Sequence, residues 1–107
     1  MFRVLRFSTE AKDQLAKLAS APSKEGTLKQ VNKVLGHLQI NPAHPGLNTH
    51  EFTSLSTKDR KVLEAYAQNN TPNAYRILWY YGPDEQEPTT VKNIPAITVF
   101  AIIPHSS

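Results

Sequence analysis

The residues able to do chemistry in this chain gather in a few places. Tyr75-Arg76-Ile77-Leu78-Trp79-Tyr80-Tyr81 alternates as a half-buried strand does: Tyr75, Ile77, Trp79 and Tyr81 share one face, and Arg76, Leu78 and Tyr80 the other. The bulkier first set suits a covered face. Arg76 and Tyr80 then fall on the open face, beside Glu64 and Tyr66 if the neighbouring strand has matching register. Arginine in mid-strand is costly to bury unpaired. Two readings stay open here. One is a structural cross-strand pair of Arg76 with Glu64. The other is a guanidinium that binds phosphate, with aromatic neighbours that stack on bases. His105, after Ile102-Ile103-Pro104, is either an exposed tail histidine or a general acid at a strand end. His50-Glu51 is the other acid–base pair in sequence, just after a Pro/Gly loop. The histidines and scattered carboxylates show no compact metal-ligand spacing, so no metal is expected. No glycine-rich phosphate loop and no Ser-His-Asp signature occurs.

Positioning those residues requires a sheet, and the chain offers the parts. Residues 2–7 are short and rich in β-formers, which predicts a first strand. Ser8 or Thr9 offers an N-cap, Glu10 suits a first helical turn, and Ala11, Leu15, Leu18 and Ala19 recur at helical spacing. That helix must stop before Pro22. A second is expected to begin between Lys24 and Leu28, with Thr27 and Gln30 at capping-box spacing. Its stripe is Leu28, Val31, Leu35 and Leu38; Gly36 weakens it and Asn41-Pro42 ends it. Residues 41–49 read as a loop and 50–55 as a short strand. Residues 62–68 have helix-forming residues but also alternate; the Asn/Pro turn signal at 69–73 favours a hairpin with strand 74–81. Residues 82–95 read as a polar loop or hairpin tip. Residues 96–103 are apolar on both faces, as in a buried central strand. The expected fold is α+β: an N-terminal strand, a helical hairpin, then a mostly antiparallel twisted sheet of about four strands, with both helices on one face.

Length and composition bound the function. One domain spanning residues 1–107 is expected, with 39% apolar residues to build its core. The absence of cysteine excludes disulfides, thiolate-bound zinc, iron–sulfur clusters and cysteine nucleophiles. No apolar run approaches the roughly 18 residues of a membrane helix. The arginines in MFRVLRF interrupt any signal-peptide core, so a cytoplasmic protein without membrane contact is expected. The net charge is +3. Residues 82–95 hold Asp84, Glu85 and Glu87 against Lys92, so the remainder is more basic than the total, which fits a polyanion or acidic partner.

The layout resembles the RelE/ParE toxin superfamily of bacterial toxin–antitoxin systems over nearly the whole chain. The likeness rests on residues 2–7, the helical hairpin, Ala74-Tyr75-Arg76-Ile77-Leu78-Trp79-Tyr80, and a closing strand 97–105 ending in histidine. His50-Glu51-Phe52, residues 62–68 and Asn69-Asn70-Thr71-Pro72 resemble a subgroup of small bacterial proteins in that superfamily. The resemblance implies two helices on a twisted sheet and, in the RelE-like branch, a ribosome-dependent endoribonuclease site on the concave face. It implies Arg76 as the arginine on the scissile phosphate and His105 as general acid. Glu51 is the better match to the general base, and Glu64 is its rival. Such a metal-free RNase needs a base for the 2′-hydroxyl, an acid for the departing 5′-oxygen and a cation for the phosphorane.

Arg60, Lys58 and Lys61, with Tyr66 and Tyr80, are the candidates for holding RNA. The implied partners are a cognate antitoxin, the ribosome and mRNA, with no small-molecule cofactor. The acidic residues Asp84, Glu85 and Glu87 depart from a basic RNA face. A ParE-like gyrase poison and a non-toxic interaction relative are the alternatives, and His105 favours the nuclease over the gyrase poison.

Overall fold

The computed structural model describes residues 4–58, 60–68, 74–82 and 96–104. The turn at 69–73, the acidic segment within 83–95, and His105 lie outside the described residues. The fold is α+β. Strand β1 (Val4–Phe7) leads into helix α1 (Thr9–Ala19), a 3-10 turn (Pro22–Lys24) and helix α2 (Glu25–Ile40). A second 3-10 turn (Pro45–Leu47) precedes β2 (His50–Glu51), β3 (Leu63–Tyr66), β4 (Tyr75–Tyr81) and β5 (Ala96–Pro104). The sheet has five strands in the order β1-β5-β4-β3-β2. The β2, β3, β4 and β5 pairings are antiparallel, and β1 runs parallel to β5. This matches the expected N-terminal strand followed by about four more, although β2 has only two residues.

The local signals explain the helices. Ser8 caps α1, its hydroxyl accepting from the Ala11 N–H at 3.0 Å, and Glu10 occupies the first turn. Pro22 starts the 3-10 turn rather than α2, and the chain rolls from that turn into α2 at Glu25. Thr27 therefore lies inside the helix, and the expected capping box with Gln30 does not form. The Thr27 hydroxyl instead accepts from Gln68 Nε2 at 3.3 Å, tying α2 to the end of β3. The strand expected over 50–55 stops at Glu51, where residues 53–55 turn.

Both helices cover one face of the sheet. Ala11 and Leu18 of α1 and Val31, Val34, Leu35 and Leu38 of α2 pack on Ala65, Ile77, Trp79, Ile97, Val99 and Ile102. Core positions in β5 are thus 97, 99 and 102, a break in strict alternation. The register supplies the reason: Trp79 faces Val99 while Leu78 faces Ala101, so Phe100 is an extra residue in a β-bulge. The bulge brings Ile102 back to the core and leaves Phe100 beside Tyr80 on the far face, ring centroids 5.9 Å apart.

β1 pairs with β5 only through Val99. Beyond it, α1 supplies the partners that a longer strand would have supplied. The Ser8 hydroxyl donates to the Phe100 carbonyl at 2.8 Å, and Gln14 Oε1 accepts from the Ile102 N–H at 2.6 Å. A buried donor left without a partner costs about 1–3 kcal/mol. Gln14→Leu is therefore expected to lower unfolding stability by about that amount in urea titration. Lys12→Leu, exposed on the same helix, is expected to change it by less than about 0.5 kcal/mol. Equal effects of the two would show that the Gln14 bond contributes nothing.

Candidate functional site

The far face is built by register. His50 lies directly across from Glu64, and Tyr66 across from Arg76, so Arg76 reaches Glu64 on the diagonal. Glu64 is only 1% exposed and carries both contacts. Its Oε1 lies 2.6 Å from His50 Nε2, and its Oε2 accepts from Arg76 Nη1. A buried carboxylate requires such partners, because an unpaired ion out of water costs several kcal/mol. His50 is half exposed, at 51%. Its second nitrogen, Nδ1, lies 3.2 Å from the Asn48 carbonyl. Carboxylate and carbonyl oxygens only accept, so whichever ring nitrogen carries a proton donates to one of them. The cluster thus sets an imidazole and a guanidinium around one buried carboxylate. Arg76 Nε is buried and has no acceptor among the described residues, so Glu64 does not satisfy the guanidinium completely.

Aromatic rings flank the cations. The Arg76 guanidinium lies 5.9 Å from the Phe52 ring centre, and Arg60 stacks over Tyr80 at 4.2 Å. The His50 and Tyr66 rings meet edge to face at 5.4 Å. Phe52 and Arg60 come from the loop joining β2 to β3, which its own hydrogen bonds hold in place. The Ser56 hydroxyl accepts from the Val62 N–H at 2.9 Å and donates to the Phe52 carbonyl at 3.1 Å. The Arg60 N–H donates to the Thr57 hydroxyl at 3.1 Å, and the Thr57 N–H to the Arg60 carbonyl at 2.8 Å. The expected open face is consequently not bare. Val62, Leu78, Tyr80, Thr98 and Ala101 are all buried, and only its His50 end is well exposed.

Of the residues singled out from sequence, the structure brings together Arg76, Glu64, Tyr66, Arg60 and Tyr80. It does not bring Glu51 to them. Glu51 pairs with Leu63, a core-side position, so its side chain belongs to the opposite face, where it meets Lys61 Nζ at 3.8 Å. Lys61 goes with it, and Lys58 is exposed on the loop. His50 is the member that sequence ranked too low. Its neighbour Glu51 drew attention by type, but the β2–β3 register decides which of the two faces Arg76. Phe52, two residues on from His50 and on the same side, was hidden in the same way. Among the described residues, no three His, Cys, Asp or Glu side chains converge as a metal ion requires. No helix among them is long and apolar enough to cross a membrane.

No family model, no curated protein and no solved structure matches this chain. The site therefore has to be read from its own chemistry.

Breaking a buried ion pair by removing one partner costs about 3–5 kcal/mol, whereas replacing both with apolar residues is often neutral. Arg76→Ala is expected to lose stability in that range by chemical denaturation. The Glu64→Leu/Arg76→Leu double variant is expected to recover most of the loss. An Arg76→Ala protein as stable as the parent would show that Glu64 does not depend on the guanidinium.

Proposed function

We propose that this chain is a RelE/ParE-type toxin that binds RNA on the face away from the helices and cuts it through the 2′-hydroxyl, acting on mRNA at the ribosome. The observation that carries the reading is the His50–Glu64–Arg76 cluster, flanked by Phe52, Tyr66 and the Arg60–Tyr80 stack. A guanidinium suits a phosphate, the half-buried rings of Phe52 and Tyr66 suit bases, and a half-exposed imidazole suits proton transfer. The roles are those that the resemblance implies, with one change. Glu51 faces away and Glu64 is held at both oxygens, so neither carboxylate is the base. With its Nε2–H donating to Glu64, the neutral His50 ring takes the 2′-hydroxyl proton on Nδ1, and the imidazolium so formed has the Asn48 carbonyl beside it as a further acceptor. The 2′-oxygen attacks phosphorus, giving a 2′,3′-cyclic phosphate. The 5′-oxygen leaves with a proton from His105, the general acid that the resemblance implies. Arg76 balances the charge on the phosphorane. Glu64 is then a positioning residue. This reading places the protein in the cytoplasm with a cognate antitoxin, the ribosome and mRNA as partners, and with no cofactor.

One observation favours the second reading, a gyrase poison or a non-toxic interaction relative. Arg76 already faces a carboxylate, and much of the face around it is buried. The two readings separate on induction in a bacterial host, with growth and mRNA primer extension as readouts. Arg76→Ala is a poor probe, because it removes a buried partner. His50→Gln keeps a donor for Glu64, Arg76→Lys keeps the charge, and His105→Ala tests the acid. Wild type is expected to arrest growth and leave codon-phased cuts. His50→Gln and His105→Ala are each expected to lower cutting by about 10²–10⁴-fold. Arrest with DNA damage and intact mRNA supports the gyrase poison. No arrest at good expression supports the non-toxic relative and overturns the nuclease.

A further inference from the structure

A second polar cluster lies where the sheet edge meets α2. β2 pairs with β3 only at Leu63 and Glu64, so the edge of β3 at Tyr66 and Ala67 has no strand beside it. The chain enters β2 only at His50, after Asn48 ends the second 3-10 turn with a positive φ of 49°. A cavity of about 230 Å³ opens in that gap. Its floor is apolar, formed by Val34, Leu47 and Ala67, and its polar wall holds Lys33, His37 and His44. No carboxylate lines it among the described residues. Lys33 and His37 are one helical turn apart on α2 and so share a face.

His44 is locked. Its Nδ1 accepts from the Gly46 N–H at 2.9 Å, which puts the ring proton on Nε2 and makes that nitrogen a donor. A Cβ at Gly46 would come within 2.9 Å of His44 Cε1, so this ring position needs glycine at 46. The loop holds the arrangement through Asn41, whose Oδ1 accepts from the Ala43 N–H and whose carbonyl accepts from the His44 N–H. The His37 and His44 rings stack at 4.3 Å between centroids, with 32° between planes. The cavity thus combines a cation, a fixed N–H donor, a flat π surface and an apolar floor. Those are the features that a phosphate joined to a planar base would meet. Tyr66 lines the cavity and also touches the His50 ring, so the two sites share one residue at the sheet edge.

We propose that the cavity between α2 and the edge of β3 is a nucleotide subsite, in which Lys33 and His44 bind phosphate and the stacked His37–His44 rings face the base. That the nucleotide belongs to the RNA strand crossing the His50–Arg76 face rests on the function proposed above. Binding of a nucleotide unit in the cavity does not.

The test is histidine side-chain NMR on the full chain, labelled by cell-free synthesis, with His37→Gln, His44→Gln and His50→Gln to assign the rings. The probes are inorganic phosphate, uridine monophosphate and a short oligonucleotide with 2′-deoxy linkages that cannot be cut. The oligonucleotide is expected to shift His37, His44 and His50 together. Lys33→Gln, an exposed change, is expected to weaken that binding about tenfold and lower its salt slope by about 1. Gly46→Ala, which displaces His44, is expected to weaken it as well. Shifts of His37 and His44 with the mononucleotide, and none at His50 with the oligonucleotide, support the subsite for free nucleotide and overturn the RNA face. Shifts at His50 alone overturn the subsite and leave the proposed function standing. Phosphate binding as tight as nucleotide binding overturns a nucleotide site in favour of a plain anion site. No shift at any of the three rings overturns both proposals.

Discussion

Three separate stretches of chain meet at one carboxylate held almost wholly out of water. Glu64 sits between the Arg76 guanidinium and the His50 imidazole at 1% exposure. An ion in that position needs both partners in place, so it dictates where their strands run. Arg76 sets how β4 lies against β3. His50 anchors β2, which has only two paired residues and little else to hold it. The loop after β2 then folds over the same face, with Phe52 against Arg76 and Arg60 over Tyr80. A polar interaction thus organises a surface that apolar packing alone would leave as a plain second face.

The other side of the sheet obeys a different constraint. β5 is the strand on which the core turns, yet its parallel partner β1 accompanies it no further than Val99. Past that point the backbone of β5 still needs partners. Ser8 at the N-cap of α1 and Gln14 in its middle supply them. Ser8 also caps the helix, so one hydroxyl fixes where α1 begins and how it sits on the sheet. The bulge at Phe100 belongs to the same region. It lets a strand whose central residues are nearly all apolar put Val99 and Ile102 into the core, and Phe100 beside Tyr80 on the other side.

These features explain what was legible in the sequence. The faces of β4 were legible, since strict alternation and bulk separate Trp79 from Arg76. The helices were legible from Ser8, Pro22 and Asn41-Pro42, and the candidate pair of Glu64 with Arg76 followed from alternation on two neighbouring strands. The rest depended on information that local pattern does not carry. The register of a two-residue strand decides between His50 and Glu51, and a slip of one residue exchanges their faces. The bulge in β5 left no trace, because residues on both faces are apolar. The Thr27 hydroxyl had a tertiary partner in Gln68, which a capping-box pattern cannot reveal. The covering of the far face came from Phe52 and Arg60, which sit in a loop held by Ser56 and Thr57.

A buried ion cluster is weak evidence for stability, because well-packed apolar residues of similar volume often hold a fold as well or better. Leu78 and Ala101 on the same face show that apolar residues are accommodated there. Stability therefore does not account for placing a glutamate, an arginine and a histidine together. Nor does solvation, since Glu64 is not a surface residue. What the cluster achieves, and apolar residues would not, is to hold a half-exposed imidazole in one orientation next to a guanidinium with a donor still unsatisfied. On the reading proposed above, those are two of the three groups that cleavage of a phosphodiester through a neighbouring hydroxyl calls for, the base and the cation. On the same reading, Glu64 is too deeply buried to be the base itself and acts through His50.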